Sequence, residues 1–509
     1  MSEGYSRSAF KRNLFQYTGG RLLNALMVFA IFLWIARQLP TEEYANYVAA
    51  FALLEMGLVF SAFGMEWVTA VYIPLVRVKS TSSVLRRFVW SSAAVQAGLL
   101  CVGAFVLYAM APLLAEWLGL SSGVAAFRVY SVVMFFEGLG RVFRDQLLAC
   151  LMQQGAAQLS QMSRSVTMLV FAYVLFQNDD LRSAEGLAFA ELIASFTSFC
   201  VAALLLRYAL VKERVTKAAD PSWCVPGWGV LLRTGRNAWL SNVANLSWGG
   251  QAVLLLATRL MGAEAAALLG FARNLSEQIR KYMPMEFLLG VVRTLLMARF
   301  AVDGDRDRLS VRAGLMYKAN LLFVIPLLAA AIGYGDELCA LASGGRYPDA
   351  QWFLVGWLCV LVLAAHHRLT DLLAHALGRS GLTSRASLVL IVVPFTLVLV
   401  LPAYGWWAMF AVLVIAEAAY SAMVLYWLSS PDWKHRLHWA GCLKIACGGV
   451  VGAMVLDAFS WGGGATAGLV ALLVAFAVVW TCTFLLRAWS PAELGLLPQR
   501  FARAARHDA

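Results

Sequence analysis

Long apolar windows separated by short polar turns recur along almost the whole chain. A helix needs about 20 apolar residues to cross the hydrocarbon core of a bilayer. Such windows fall near residues 20–36, 44–75, 88–115, 124–151, 164–177 and 186–208. After a polar stretch they resume at 238–260, 265–298, 313–333, 350–377, 386–403 and 407–428, with two more at 440–458 and 465–487. The pattern predicts an all-α polytopic membrane protein with about 14 transmembrane helices. The second and eighth windows are over-long and should tilt, kink or project beyond the bilayer, Pro284 offering a place for a kink. The fifth is short.

Basic residues divide the connecting loops into two sets. One set holds Arg7, Lys11 and Arg12; Arg77, Lys79, Arg86 and Arg87; and Arg207, Lys212, Arg214, Lys217, Arg233 and Arg236. It continues with Arg299, Arg306, Arg308, Arg312, Arg379, Arg385, Lys434 and Arg436, and ends with Arg487, Arg500, Arg503 and Arg506. The opposite loops hold Arg37, Arg128, Arg182, Arg259 and Arg346. The positive-inside rule makes the rich side cytoplasmic, with both termini inside. The stretch Met1–Tyr17 is polar and basic and lacks the apolar region of a cleaved signal, so the first span should act as its own insertion signal.

Composition agrees with the pattern. Hydrophobic residues make up 61% and charged residues 14%, with a mean hydropathy of +0.70; soluble domains lie nearer about 45–50% and about 25%. The excess of 41 Lys and Arg over 29 Asp and Glu follows from membrane topology, so no nucleic-acid partner is implied. The nine cysteines are scattered without a CxxC pair or a Cys/His cluster, which argues for apolar packing and against a disulfide framework or a zinc site.

The chain also repeats itself. Ala36-Arg37-Gln38-Leu39-Pro40-Thr41-Glu42-Glu43-Tyr44-Ala45 is echoed by Ala257-Thr258-Arg259-Leu260-Met261-Gly262-Ala263-Glu264-Ala265-Ala266, and Asn24 falls on Asn245 in the same register. Asp145-Gln146-Leu147-Leu148 aligns with Asp371-Leu372-Leu373-Ala374, carrying Gly155 onto Gly381. The expected organisation is a six-helix lobe over 1–211, a cytoplasmic linker over 212–237 and a second six-helix lobe over 238–430. Two extra helices and a basic tail follow over 431–509. Because six is even, the two lobes run in the same direction, and transporters are commonly built from such repeats.

An ionisable side chain at the centre of a membrane helix costs roughly 2.5–3.5 kcal/mol on the insertion scale and needs a reason. By helical spacing, Arg141, Arg144 and Asp145 share a face of the fourth span, and on the tenth His367, Asp371 and His375 form a stripe with Arg368 beside it. The eighth carries Arg273, Glu277 and Lys281 at the same spacing, with Arg280 one turn from Glu277. Glu55 and Glu66 mark the second span and Arg21 the first; Glu137, Glu191 and Glu417 mark others. One reading is that these charges neutralise each other structurally. The other is a cationic vestibule formed by Arg21, Arg141, Arg144, Arg273, Arg280, Lys281 and Arg368, suited to a phosphate-bearing headgroup. In that reading Glu55, Asp145, Glu277, His367, Asp371 and His375 are available for coupling protons, Asp371 with His367 foremost. No P-loop, no Gly-x-Ser-x-Gly elbow and no metal-binding carboxylate pair in the first loop occurs, so no catalytic residue, metal or cofactor is expected.

The segment Ala-Arg-Gln-Leu-Pro-Thr-Glu-Glu-Tyr-Ala-Asn-Tyr over 36–47 resembles a mark of polysaccharide exporters of the multidrug/oligosaccharidyl-lipid/polysaccharide (MOP) superfamily, whose version reads roughly Ala-Arg-x-Leu-Gly-x-x-x-Tyr-Gly-x-Tyr. Leu377-Gly378-Arg379 and Gly344-Gly345-Arg346-Tyr347-Pro348-Asp349-Ala350 resemble further landmarks, while Pro40 and Ala45 depart from the usual glycines. The resemblance implies a V-shaped, two-lobe flippase, not an enzyme, that moves a polyprenyl-diphosphate-linked oligosaccharide across the bacterial inner membrane. It would serve surface polysaccharide synthesis (lipopolysaccharide or exopolysaccharide), with membrane lipids, a polysaccharide polymerase and chain-length proteins as partners. Superfamily members that flip peptidoglycan precursors use arginines in the first and eighth helices, where Arg21 and Arg273 are nearest here. The rivals are a cation-coupled multidrug exporter of the same fold and a membrane-embedded glycan-modifying enzyme. The first usually has an acid in its first helix, which this chain lacks. The second usually has a large periplasmic loop, and no outer loop here exceeds about 20 residues.

Overall fold

Among the described residues the apolar windows fold as helices, because backbone that meets lipid must satisfy its own hydrogen bonds. The computed structural model describes residues 7–212, 225–286, 305–377, 379, 381–430, 433–435, 437–458 and 464–496. The helices are α1 (Arg7–Gln38), α2 (Thr41–Ala62), α3 (Met65–Lys79), α4 (Ser82–Leu118), α5 (Val124–Arg141), α6 (Gln154–Leu175), α7 (Ala184–Lys212) and α8 (Trp228–Trp248). They continue with α9 (Gly250–Tyr282), α10 (Arg306–Ser343), α11 (Gln351–Ala376), α12 (Gly381–Val389), α13 (Val393–Leu428), α14 (Trp439–Ala458), α15 (Ala465–Leu485) and the single turn α16 (Pro491–Leu494). The extended pairing among described residues is one isolated bridge, Ser430 with Trp433.

Eleven helical stretches among the described residues are long and apolar enough to cross a membrane. Two of these, 242–282 and 381–428, are 41 and 48 residues long. A straight helix of 48 residues would span about 72 Å at 1.5 Å per residue, more than twice the hydrocarbon core. Each is broken at a glycine with non-helical backbone, Gly262 (φ 88°, ψ 178°) and Gly405 (φ 71°, ψ −169°). These breaks fall between the windows expected at 238–260 and 265–298, and between those at 386–403 and 407–428. α6 is less apolar than the eleven because its first half carries Gln158, Gln161 and Arg164. That is why the sequence shows only a short window there. The over-long second window is two helices, α2 and α3, separated at Phe63 and Gly64, both in the left-handed region. The eighth window continues past Glu286 into residues outside the described set, as do 213–224 of the expected linker and the tail beyond 496.

The chain divides into two compact units, 1–267 and 268–509. In the first, α5, α6 and α7 pack on one another, α4 lies against α5, α1 against α6, and α2 against α4 and α5. α8 packs on α2 and α3. In the second, α10 is the central element, touching α11, α14 and α15, while α11 packs on α13. The small residues Ala329, Ala330, Ala467, Ala471 and Ala475 let α10 and α15 approach closely around Tyr334 and Leu456, a packing mode in which contact area replaces the missing hydrophobic drive in lipid.

Local geometry follows the sequence repeat. α1 ends just before Pro40, and its counterpart is interrupted at Gly262. The 37-residue α4 and the 38-residue α10 end on left-handed glycines, Gly119 (φ 70°) and Gly344 (φ 68°). A 3-10 turn then leads into α5 at Ser121–Gly123 and into α11 at Pro348–Ala350. These pairs keep the Asp145 to Asp371 spacing to within a residue. One feature is not shared. α5 runs on as a π-helical turn, Val142–Leu148, whereas α11 is α-helical through Ala376.

Candidate functional site

Four helices of the first unit converge on a buried ionic network. Arg141 at the end of α5 donates from Nη1 and Nη2 to both carboxylate oxygens of Glu55 on α2, at 3.0 and 2.5 Å, and from Nε to Glu137 at 2.9 Å. Arg164 of α6 reaches Glu137 at 2.8 Å and Glu191 of α7 at 3.7 Å. Arg144 lies 3.7 Å from Glu137, 3.1 Å from Asp145, and donates to Ser198 Oγ at 3.2 Å. Glu137 thus serves three guanidiniums while its side chain is only 4% exposed. Burial of so many charges is tolerable because each acid meets a fork-shaped donor.

The helical-face expectation for Arg141, Arg144 and Asp145 is corrected here. The π turn uses i→i+5 bonding and adds a residue to the turn, so Arg144 points inward at 5% side-chain exposure while its neighbour Asp145 stands at 60%. Arg141 finds its partners on α2 and one turn back on α5, not at Asp145. Arg21 is half-buried on α1, beside Gly20, whose approach to Gln158 seats α1 on α6. Arg164 has no place in the sequence reading. A lone arginine at the edge of an apolar window was the signal for it.

The second unit holds two clusters. Around Glu277 on α9, Arg280 makes an ion pair at 2.8 Å, and Arg273, Lys281 and, from α11, Arg368 all lie within electrostatic reach. Lys281 donates to Gln278 at 3.1 Å, and Arg368 lies 3.4 Å from Glu286. Among the described residues, four cations thus lie around Glu277, and Arg368 also meets Glu286. On the opposite register of α11, His367 lies 2.8 Å from Glu417 of α13 through Nδ1 and 3.4 Å from Asp371 through Nε2. Tyr420 of α13 donates to Asp371 at 2.7 Å and stacks on His367 at 3.6 Å between ring centroids. His375 Nδ1 meets the Asp371 carbonyl at 2.7 Å. His367 and Asp371 of the i, i+4, i+8 set thus meet through their side chains, and His375 meets the Asp371 backbone.

The two acid clusters occupy equivalent places. Arg141, Asp145 and Glu191 in the first unit and His367, Asp371 and Glu417 in the second stand in one common register. Two acids recur, but His367 meets both acids of its register whereas Arg141 meets Glu55 and Glu137 instead.

A third cluster lies apart from these. Lys318 of α10 is fully buried and donates to Glu493 of α16 at 2.6 Å, to the Ala488 carbonyl at 2.8 Å, and lies 2.8 Å from His438 Nδ1. Glu493 also closes a capping box with Ser490. Four residues per step along α10, Ser310 meets His435 at 2.6 Å and Gly314 meets Leu437, so the segment before α14 lies along this helix. A lysine inside the apolar window 313–333 was the legible sign of this clasp, but its acid comes from beyond the last span.

No family model matches the sequence, and no curated protein matches it. Solved structures do match in fold. An inward-facing multidrug resistance MATE family transporter of the MOP superfamily is 15% identical, with a TM-score of 0.59 over 87% of this chain and 99% of that one. A MOP superfamily transporter from Pyrococcus furiosus, described as having a binding pocket of reverse polarity that suggests a different function, is 16% identical with a TM-score of 0.52, over 82% of this chain and 94% of that one. An outward-facing MATE family transporter gives 15% and 0.51 over the same shares. The chain is a multi-pass helical membrane protein with the fold of MOP superfamily transporters.

Proposed function

We propose that the protein is an exporter of the bacterial inner membrane, with both termini cytoplasmic, that flips a polyprenyl-diphosphate-linked oligosaccharide for surface polysaccharide synthesis. The observation that carries this reading is the cluster of Arg273, Arg280, Lys281 and Arg368 around Glu277 and Glu286. Its cationic excess suits a diphosphate, and guanidinium matches phosphate with two parallel hydrogen bonds. Arg141 and Arg144 enter through their carboxylate partners, and Arg21 is assigned to the headgroup by its place on the first span. The polar hydroxyls and acids of the His367 cluster are assigned to proton coupling. A transporter fold also argues against a glycan-modifying enzyme.

A second reading, a cation-coupled multidrug exporter, draws on a different observation. The first-unit network has one more acid than arginines (Glu55, Glu137, Asp145 and Glu191 against Arg141, Arg144 and Arg164), which suits an organic cation. Proteoliposomes loaded in parallel with a defined lipid-linked oligosaccharide and with a fluorescent cationic drug discriminate the two. The flippase reading expects transfer of the glycan, lost in R273A and in R280A/K281A, with R21A and R141A also impaired. Drug transport without glycan transfer sinks it.

A further inference from the structure

The junction of α2 and α3 is a strained elbow held from outside. Phe63 has φ 45° and Gly64 φ 67°, and a left-handed conformation costs a residue with a side chain roughly 1–2 kcal/mol. The break also removes the helical donor that the Phe60 carbonyl would otherwise receive. α8 supplies both compensations. Trp239 donates its indole N–H to the Phe60 carbonyl at 2.9 Å and packs its ring on Phe63 at 5.3 Å. One turn on, Asn242 donates to Glu66 at 2.6 Å. The backbones meet at Gly64 and Gly235, where a Cβ on Gly64 would overlap the Gly235 carbonyl. Beyond the elbow, α3 leans on the π turn: Thr69 bonds Gln146 at 3.3 Å, and Arg77 donates to the Leu151 carbonyl at 3.3 Å. That turn places Arg144 in the ionic network.

We propose that α8 is a releasable lock on this elbow. Docked, it keeps α2 and α3 bent and presses α3 onto the π turn that buries Arg144. Undocked, Gly64 regains its helical bond to the Phe60 carbonyl, Phe63 leaves the left-handed region, and α2 and α3 straighten into one helix. The physical warrant is a two-state element whose bent form α8 stabilises at the break itself, through the Phe60 carbonyl and the Phe63 ring. The lock is independent of which substrate the chain moves.

Hydrogen exchange on the full chain in lipid nanodiscs tests it without any substrate. Trp239→Ala with Asn242→Ala should raise amide exchange at least tenfold both in α3 and over residues 142–148. Trp239→Phe, which keeps the ring and loses the N–H, should give a smaller rise. Gly64→Ala should match the double variant although every α8 side chain is retained. Spin labels at positions 41 and 75, with native cysteines replaced, should separate toward the roughly 51 Å of a straight helix of that length. Faster exchange confined to α8, or an unchanged label distance in all three variants, overturns the proposal.

Discussion

The two units solve one problem with different chemistry. At one register position the first unit has a guanidinium, Arg141, bound to Glu55 and Glu137, and the second an imidazole, His367, set between Asp371 and Glu417. A guanidinium keeps its charge, whereas an imidazole can give up its proton. The first unit also bends its helix into a π turn to bury Arg144, while the second keeps α11 regular and adds the Tyr420 hydroxyl to Asp371. The two halves share Asp145 with Asp371, Glu191 with Glu417 and the neighbouring glycine caps. One side thus carries a guanidinium and the other an imidazole.

The largest expected effect comes from breaking the fixed half. Glu137→Ala leaves three arginines without their shared acid, and stranding buried charge costs about 3–5 kcal/mol. The folded fraction surviving detergent extraction and its thermal midpoint should fall sharply. A midpoint within a degree of the parent would mean that the network is solvated. Lys318→Met should approach that effect by stranding Glu493, and Lys318→Met with Glu493→Met should recover most of it. An additive double variant would deny their coupling.

Exchanging the bases sharpens the contrast further. His367→Arg should leave the fold in place and flatten the pH dependence of transport, with Arg141→His creating a new dependence. An unaltered pH profile in both variants would remove the division of roles.

The smallest effect concerns His435, outside the spans. Burial pushes its imidazole down to about 4 from an ordinary value of 6.5. Between those values the unfolded chain binds more protons than the folded one. This contribution is therefore intact above pH 6.5 and is lost as pH falls toward 4. His435→Gln should lessen the fall in thermal midpoint over that window by a few degrees at most. A parallel fall in parent and variant would assign the slope elsewhere.

Much of this architecture was legible beforehand. The windows bracket the breaks at Gly262 and Gly405, because a polar or glycine-bearing gap in an apolar run is also where a helix must stop. The repeat was visible in the segment around Pro40 and in the Asp145 register, and its helix caps recur in space. Site pairings were less legible. Helical spacing put Arg141, Arg144 and Asp145 on one face, whereas Arg141 turns to Glu55 and Glu137 and Arg144 is buried beside an exposed Asp145. Arg164, Glu286 and Tyr420 gained their roles only from neighbours distant in sequence.

The sequence by itself determined that the chain is a many-span helical membrane protein built from a repeated half, because hydropathy and helical period act locally along the chain. Which charges meet was decided by tertiary structure alone. Glu55, Glu137, Arg164 and Glu191 sit on four different helices, and Lys318 waits for an acid 175 residues away. Whether a buried charge is stabilised or stranded depends on partners that only packing brings within a few ångströms.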